Sequence, residues 1–248
     1  MIRIILSGAG GRMGRAVAAA CDQSCVIAAG VDSRDVSGLP YPIYKSVAEV
    51  AEQADVIVDF SHPDAVYGLL DYARTRALPL VLATTGYAAE HDAAISAASL
   101  QIPVIRSSNF SVGVSVLMEI VSNAASLLPG ADIEIVESHH RMKADSPSGT
   151  ALTLIEAIKE VSPCRAVLAG RRSEDGKREQ RQIGVHSVRG GLGAGDHNVM
   201  FLLDGETIEI RHTAHGRDIF AQGALQAAKW IAGKSAGLYS MRDILGAM

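Results

Sequence analysis

The sequence predicts an α/β protein in which a Rossmann-like, doubly wound parallel sheet is followed by an α+β domain with a mixed sheet. Short apolar runs alternate with amphipathic stretches through the first half of the chain, as in sheets covered by helices on both faces. A glycine-rich turn at Gly8–Gly14 separates the first apolar run from an alanine-rich helical stretch. After Phe110 the pattern changes to longer helices, polar loops and closely spaced strands. These observations predict two domains.

Each element of the first domain rests on a local pattern. Runs rich in β-branched and aliphatic residues predict strands, and apolar residues recurring every third or fourth position predict helices. The predicted strands cover residues 2–6, 26–31, 56–60, 80–83 and 103–105, and the predicted helices begin at Arg15 and cover residues 64–76 and 90–98. In such a sheet, ligands bind at the carboxyl ends of the strands.

The second domain combines helices and strands in a different order. Helices are predicted at residues 112–127 and 150–160, and strands at residues 132–137, 182–188, 198–203 and 207–212. Residues 218–230 are strongly amphipathic, so a helix there could return to cover the first sheet. We therefore expect a dinucleotide-binding domain at residues 1–110, completed by a C-terminal helix at 218–248, and a second domain at residues 111–217.

Composition and charge exclude several classes of protein. The chain is 48% hydrophobic and 20% charged, which is typical of a globular protein. A net charge of −4 gives no general attraction to nucleic acid or anionic lipid, and acidic residues offset the basic stretch Arg171–Arg181. The sequence shows no membrane span, no secretory signal and, with three cysteines, no disulfide framework. We expect a cytoplasmic protein without nucleic-acid or membrane partners.

The loop Gly8-Ala-Gly-Gly-Arg-Met-Gly14 is the first motif with a chemical implication. Its glycines allow a tight turn after a strand and a close approach of the backbone to a pyrophosphate at a helix N-terminus. Asp32 ends the second predicted strand, where a carboxylate would bind the adenosine ribose. A plain tight turn is the alternative, but the surrounding strand, helix and acid favour dinucleotide binding. NADH is favoured, and Arg34 is a cation that a 2′-phosphate could meet.

The second motif is the segment 137–152, which runs from the end of a strand to the start of a helix. Ser148 is a plausible N-cap, after which Gly149 and Thr150 would present backbone amides at the positive end of the helix. Such a site suits a carboxylate. The same loop would add titratable and cationic side chains around this anion, from His139, His140 and Lys143.

The residues of the second motif also have simpler interpretations. Taken singly, a surface histidine or lysine is usually solvated, and Asp145 is most simply an acceptor that stabilises the loop. A metal site is an alternative, but adjacent strand residues point to opposite faces and no ligand spacing recurs, so we expect no metal. The ligands in that alternative would be His139, His140, Asp145, His212 and His215.

The two motifs together suggest an enzyme that uses a dinucleotide to reduce a substrate bearing a carboxylate. Two other functions compete with this interpretation. A dinucleotide sensor or scaffold would need the glycine loop but neither His139 nor Lys143. A semialdehyde dehydrogenase would need a reactive cysteine. The sequence places Cys21, Cys25 and Cys164 in helical or post-helical contexts, away from both motifs.

The chain resembles the dihydrodipicolinate reductase family, also called the 4-hydroxy-tetrahydrodipicolinate reductase family, over nearly its whole length. Besides the two motifs, the matching stretches are Val58-Asp-Phe-Ser61, Thr84-Thr-Gly86, Ser108–Gly113, Phe220-Ala, Gly223-Ala-Leu, Ala227–Trp230 and Met241-Arg-Asp243. The resemblance implies NAD(P)H-dependent reduction of a small cyclic dicarboxylate to tetrahydrodipicolinate, with loss of water, in the diaminopimelate route of lysine biosynthesis. It also implies a homotetramer built through the second domain.

The resemblance further implies roles for individual residues. His139 is similar to the family's proton donor, and Lys143 to a second catalytic donor and cation. His140 would contact the substrate, and Gly149 with Thr150 would bind its carboxylate. The residues implied for the cofactor are Gly8, Ala9, Gly10, Gly11, Arg12, Met13 and Asp32, with Ala83, Thr84, Thr85, Ser107, Ser108, Asn109 and Phe110 on the nicotinamide side.

Two departures from the family's pattern bear on these expectations. Ser33 stands where many members have an arginine for the 2′-phosphate, so NADH, NADPH or both would serve as cofactor. The stretch Leu192–His197 differs from the usual loop after Arg189-Gly190, and the sequence assigns no role to it.

Overall fold

The computed structural model describes residues 1–247, which form two compact units. The first unit comprises Met1–Val112 together with the segment that begins at Arg217, and the second comprises Gly113–Gly216. Each unit has its own sheet and its own buried core. Met248, the last residue of the predicted C-terminal helix, lies outside the described residues.

A seven-stranded sheet forms the centre of the first unit. Its strands are β1 (Ile2–Ser7), β2 (Cys25–Val31), β3 (Ile43–Tyr44), β4 (Val56–Asp59), β5 (Leu80–Leu82), β6 (Pro103–Arg106) and β12 (Gly237–Tyr239). They lie in the order β12-β6-β5-β4-β1-β2-β3, and all neighbouring pairs are parallel. The order of the strands reverses between β1 and β4, and ligands bind at such a switch point.

Helices cover both faces of this sheet. They are α1 (Arg12–Ala20), α2 (Val66–Arg76), α3 (Ala89–Ser99), α6 (Asp218–Ile231) and α7 (Met241–Leu245). Because alternate strand residues point to opposite faces, Ile4 joins the core formed with α1 and α6, whereas Ile5 joins the core formed with α2 and α3. The parallel sheet and its two helical layers confirm the predicted doubly wound fold.

Helix α6 packs against the segment that follows β6. A Cβ atom on Gly223 would overlap the carbonyl oxygen of Phe110, so only glycine permits this approach. The expectation of one continuous helix over residues 218–248 was wrong, because α6 ends at Ile231. Gly233 then adopts a φ of +86°, and β12 and α7 follow.

The second unit contains a mixed five-stranded sheet in the order β11-β10-β7-β9-β8. Its strands are β7 (Asp132–His139), β8 (Ala166–Ala169), β9 (Gln182–Arg189), β10 (Gly195–Leu202) and β11 (Thr207–Ala214). The neighbours β7, β9 and β8 are parallel, whereas β10 runs antiparallel to both β7 and β11. The predicted mixed sheet is confirmed.

Two helices, α4 (Val112–Leu127) and α5 (Gly149–Val161), contribute to the core of this unit. Their apolar residues share this core with Ile133 and Ile135 of β7. The side chains of β7 alternate between buried and half-buried, so Glu137 and His139 continue the row of Ile133 and Ile135. Two polar residues therefore lie in a position that the strand otherwise fills with isoleucine.

The predicted element boundaries differ from the observed ones where the pattern is short or polar. Helix α1 begins at Arg12 and not at Arg15, and β7 extends two residues beyond Glu137 to His139. Four short elements were not predicted from the sequence, and none of them exceeds five residues: β3, β8, β12 and α7. Within residues 1–247, no helix has the length and apolar character needed to cross a membrane.

Candidate active site

The glycine loop lies between β1 and α1 and packs closely against its surroundings. Gly8 has a φ of +77°, and a Cβ atom there would lie 2.5 Å from the carbonyl oxygen of Phe60. A Cβ atom on Gly14 would overlap the carbonyl oxygen of Gly8. The three-residue spacing of the glycines therefore reflects the packing of α1 on the loop.

Helix α1 presents an uncapped N-terminus beside a cavity. Gly11 is the N-cap, and no side chain accepts a hydrogen bond from the first turn. Backbone amides at such a helix end bind phosphate groups. The adjacent cavity has a volume of about 430 Å³ and is lined by Ser7, Gly8, Gly11, Val31, Asp32, Ser33, Arg34, Lys45, Phe60, Ser61, His62 and Ala65. The loop and cavity fit the pyrophosphate and ribose of a dinucleotide.

Asp32 lies directly after β2 and is 5% exposed. Its carboxylate accepts a hydrogen bond from the amide of Gly10 at 2.9 Å and pairs with the Arg34 guanidinium at 3.0 Å. Hydrogen bonds from Arg34 hold the pKa of Asp32 below its usual value, although burial opposes them. The cavity thus contains an ionised acceptor with two cations at its margin, Arg34 and Lys45.

The other predicted cofactor residues follow β5 and β6 at the same edge of the sheet. Asp59, the last residue of β4, is fully buried and accepts hydrogen bonds from the hydroxyls of Ser61 at 2.5 Å and Thr84 at 2.6 Å. Burial raises the pKa of Asp59, while these hydroxyls lower it. Ala83, Thr84 and Thr85 come directly after β5, and Ser107, Ser108, Asn109 and Phe110 directly after β6. Asp59 therefore orients Thr84 within this set.

A buried carboxylate organises the second predicted motif. Glu137 has no exposed surface, and its two oxygens accept hydrogen bonds from both terminal nitrogens of Arg189, at 2.8 and 2.7 Å. The same oxygens accept from the amide of Ser148 at 3.1 Å and bond with Nδ1 of His139 at 2.6 Å. Burial raises the pKa of Glu137, but its hydrogen bonds, chiefly from Arg189, outweigh this and hold it at about 2. Glu137 is therefore ionised.

His139 is the last residue of β7 and is 8% exposed. Because ionised Glu137 accepts at Nδ1, this nitrogen carries a hydrogen, and Nε2 is the other reactive position. Burial lowers the pKa of His139, and Glu137 acts in the opposite direction. A Cβ atom on Gly195 would lie 2.7 Å from Nε2, so glycine at this position keeps Nε2 unobstructed from β10.

Ser148 connects the N-terminus of α5 to a second buried histidine. Its hydroxyl accepts a hydrogen bond from the amide of Ala151 at 3.2 Å, which confirms Ser148 as the N-cap. The hydroxyl also bonds with Nε2 of His197 at 3.0 Å. Burial, with a smaller contribution from His139, lowers the pKa of His197 to about 4. The rings of His139 and His197 are edge to face, 5.2 Å apart.

The loop between β7 and α5 carries the remaining predicted residues. Lys143 forms an ion pair with Asp145 at 2.8 Å, and Lys143 lowers the pKa of Asp145. His140 is half-buried, and its amide donates to the carbonyl of Gly193 at 3.0 Å. Gly149 and Thr150 occupy the first positions of α5, and a Cβ atom on Gly149 would meet no atom within 4 Å. There is thus open space beside this helix end.

The structure separates the predicted residues into two groups, with the cofactor set in the first unit and the polar segment 137–152 in the second. Within residues 1–247, no cluster of three or more histidine, cysteine or acidic side chains could hold a metal ion. Cys25 follows α1 and begins β2. It is buried, as is Cys164.

Several residues in these sites were not predicted from the sequence. Glu137 begins the second motif and lies two residues before His139, and residues two apart on a strand share a face, so the sequence did carry a signal for it. The partner of Glu137 could not be predicted, because Arg189 lies 52 residues further along the chain and comes close only through the pairing of β7 with β9. The missed residues are Asp59, Glu137, Arg189 and His197.

Comparisons with known proteins match nearly the whole chain to one family. Family models described as "Dihydrodipicolinate reductase, N-terminus" and "Dihydrodipicolinate reductase, C-terminus" match residues 2–110 and 113–245. The 4-hydroxy-tetrahydrodipicolinate reductase of Caldanaerobacter subterraneus subsp. tengcongensis is 44% identical, with 99% of this chain and 98% of that protein covered. The corresponding protein of Clostridium novyi is 42% identical, with the same coverage.

Solved structures share the fold. The dipicolinate-bound dihydrodipicolinate reductase from Paenisporosarcina sp. TG-14 superposes with a TM-score of 0.83 at 24% identity, covering 98% of this chain and 99% of that one. A probable dehydrogenase from Thermotoga maritima has a TM-score of 0.62 at 11% identity, covering 99% and 93%.

The low pKa of His197 predicts that the second unit loses stability in acid. The pKa is about 4 in the folded chain and near 6.5 when unfolded, so the stabilisation is complete above pH 6.5 and is lost as the pH falls toward 4. The loss should reach roughly 3 kcal/mol. Hydrogen exchange of the β7 and β10 amides across this range would measure it.

As the pH falls, the stability of the second unit should decline less in the variant His197→Gln than in the parent protein. His62→Gln is the matched control, because the His62 side chain is 76% exposed. Parallel declines in the parent and in His197→Gln would contradict the prediction.

Proposed function

The chain belongs to the dihydrodipicolinate reductase family, whose members are nicotinamide-dependent oxidoreductases, and we propose that it reduces 4-hydroxy-tetrahydrodipicolinate to tetrahydrodipicolinate and water. This reaction belongs to the diaminopimelate route of lysine biosynthesis. The observation that best supports it is the His139–Glu137 pair at the end of β7, next to the capped N-terminus of α5. A proton donor and an anion site lie together there.

We propose that His139 donates the proton that accompanies reduction. A nicotinamide cofactor supplies the hydride when bound, and the reduced substrate then needs a proton to neutralise the charge that develops. Glu137 holds Nδ1, so the imidazolium donates from Nε2. Burial lowers the pKa of His139, whereas a bound dicarboxylate would raise it through its negative charge. Substrate binding would thus favour the protonated form.

The substrate's carboxylates need positive partners, which the same loop supplies. In this proposal, amides at Gly149 and Thr150 bind one carboxylate at the positive end of α5, while Lys143 provides charge and a second donor. His140 contacts the substrate. The bound dipicolinate of the structurally similar Paenisporosarcina enzyme supports a dicarboxylate ligand.

For the cofactor, we propose that Gly8–Met13 bind the pyrophosphate and that Asp32 accepts hydrogen bonds from the adenosine ribose. The sets after β5 and β6 would line the nicotinamide side, with Thr84 oriented by Asp59. A carboxylate beside the ribose repels a 2′-phosphate, and Arg34 is already paired with that carboxylate. NADH should therefore bind at least as tightly as NADPH.

We propose that the protein is a homotetramer assembled through the sheet of the second unit. The core shared with α4 and α5 lies on the face that carries Ile133 and Ile135. On the opposite face, β7, β9 and β10 carry partly exposed apolar side chains from Val136, Val188 and Met200. Burying this face between copies would remove apolar surface from water.

The reaction can be tested by following nicotinamide absorbance with the freshly made condensation product of aspartate semialdehyde and pyruvate. His139→Gln should lower kcat about 10²- to 10⁴-fold, because it removes proton transfer but keeps a polar side chain. The KM should change far less, and NADH affinity should stay the same. His140→Gln is the matched control and should act mainly on KM. If neither variant loses tenfold in kcat, acid catalysis by this pair is wrong.

Lys143→Ala should weaken substrate binding and turnover while leaving cofactor binding intact. A charge-assisted hydrogen bond is worth roughly 1.5–3 kcal/mol, or about 10- to 150-fold in affinity. Lys159→Ala is the control, since the Lys159 ammonium pairs with exposed Glu156 on α5. Steady-state kinetics would distinguish the two, and unchanged kinetics in Lys143→Ala would identify Lys143 as an ordinary surface cation.

The expected cofactor preference can be measured by calorimetry with NADH and NADPH. Asp32→Asn should raise NADPH affinity relative to NADH, because the carboxylate's charge is removed while an acceptor for the Gly10 amide remains. Asp71→Asn, at a side chain of α2 that is 71% exposed, should change neither affinity. A strong NADPH preference in the parent protein would contradict the role given to Asp32.

The proposed assembly predicts that Met200→Glu dissociates the tetramer, because it adds a carboxylate between Glu134 and Glu209, which flank Met200 in the register of β7, β10 and β11. Leu100→Glu, at a position 82% exposed in the first unit, should leave the assembly intact. Light scattering would report the mass of each variant. A Met200→Glu protein that remains tetrameric would show that another surface forms the interface.

A further inference from the structure

Arg189 contacts both Glu137 and the loop that carries Lys143. It ends β9 and lies beside His139 in the register of β7 and β9. Its guanidinium donates to both oxygens of Glu137 and, through Nη2, to the carbonyl oxygen of Asp145 at 2.8 Å. One planar group therefore joins the carboxylate that holds His139 to the loop that carries Lys143.

The backbone that follows Arg189 strengthens this connection. The amide of Gly190 donates to the carbonyl of His139 at 3.0 Å. In the other direction, the amide of His140 donates to Gly193 at 3.0 Å, and that of Arg141 donates to Gly191 at 3.3 Å. The segment 190–193 thus pairs with the proposed proton donor itself and with the two residues that follow it.

We propose that Arg189 is a positioning residue, which holds the His139 imidazole and the Lys143 loop in the geometry that reduction requires. This inference rests on the proposed function, because it assumes that His139 donates a proton. Arg189 acts through Glu137 on the proton donor and through Asp145 on the loop. It would affect turnover by the first route and substrate binding by the second.

The geometry of the guanidinium is what this role needs. A planar fork can donate to both carboxylate oxygens and still reach a carbonyl, whereas a lysine ammonium acts as a point charge and cannot maintain all three bonds. A displacement of about 1 Å in a catalytic group can cost on the order of 10²-fold in rate. Arg189→Lys keeps the positive charge but removes the planar guanidinium, so its effect reports the geometry of the side chain separately from its charge.

The charges around His139 define a second readout. Glu137 on β7 raises the pKa of His139, while Lys143 in the loop and Arg189 on β9 lower it. His197 on β10 faces the same ring. Because Arg189→Lys conserves charge, the alkaline limb of the kcat/KM profile should stay in place. Glu137→Gln removes the group that raises the pKa, so in that variant the limb should move to lower pH.

The decisive experiment is a double-mutant cycle between Arg189→Lys and His139→Gln in the full chain. Arg189→Lys alone should lower kcat roughly 10- to 100-fold and raise the KM of the substrate, with NADH affinity unchanged. Combined with His139→Gln, it should cause no further loss of kcat but should still raise KM. Arg165→Lys is the matched control, because Arg165 donates to three backbone carbonyls in the same unit.

Two results would overturn the inference. One is a kcat loss from Arg189→Lys that multiplies with that of His139→Gln, since a general structural defect would behave in this way. The other is wild-type kinetics in Arg189→Lys together with an unmoved pH profile in Glu137→Gln. If His139→Gln alone keeps full activity, the proposed proton donor is wrong, which is a separate failure from that of Arg189.

Discussion

The second unit depends on the satisfaction of one buried charge. A carboxylate without exposed surface is costly unless it is paired and hydrogen-bonded, and Glu137 continues the buried row of Ile133 and Ile135 on β7. Arg189, His139 and the Ser148 amide meet this requirement together. Because these partners come from β9, the end of β7 and the start of α5, the group that satisfies the charge also determines where the proton donor and the anion site lie.

In the first unit, close packing of the backbone places the predicted cofactor site. Gly8 and Gly14 allow α1 to begin directly behind β1, which leaves an uncapped helix end beside the cavity. Asp59 is a fully buried carboxylate of this unit, and hydroxyl groups partner it instead of a cation. An ionisable side chain at the end of a strand thus orients neighbouring functional residues in both units, with an arginine partner in one and hydroxyl partners in the other.

Much of the fold follows from local sequence patterns, and the elements that these patterns did not predict were missed for physical reasons. The longer strands of the first sheet, such as β1 and β4, are mostly buried apolar runs, so their positions could be predicted. β3 has two residues and β12 three, which is too short for any periodicity to show. The helix expected over residues 218–248 ends at Ile231, where Ala232 is extended and Gly233 has a positive φ, and composition alone does not reveal such a break.

By itself the sequence determined the fold class, the glycine turn, the Ser148 cap and the segment in which chemistry would lie, because each depends on residues near one another in the chain. Only the tertiary structure decided which side chains satisfy the buried groups. Arg189 reaches Glu137 and His197 reaches Ser148 because β9 and β10 flank β7 in the sheet. Strand order is a long-range property, and the hydrogen bonds that hold His139 in place depend on it.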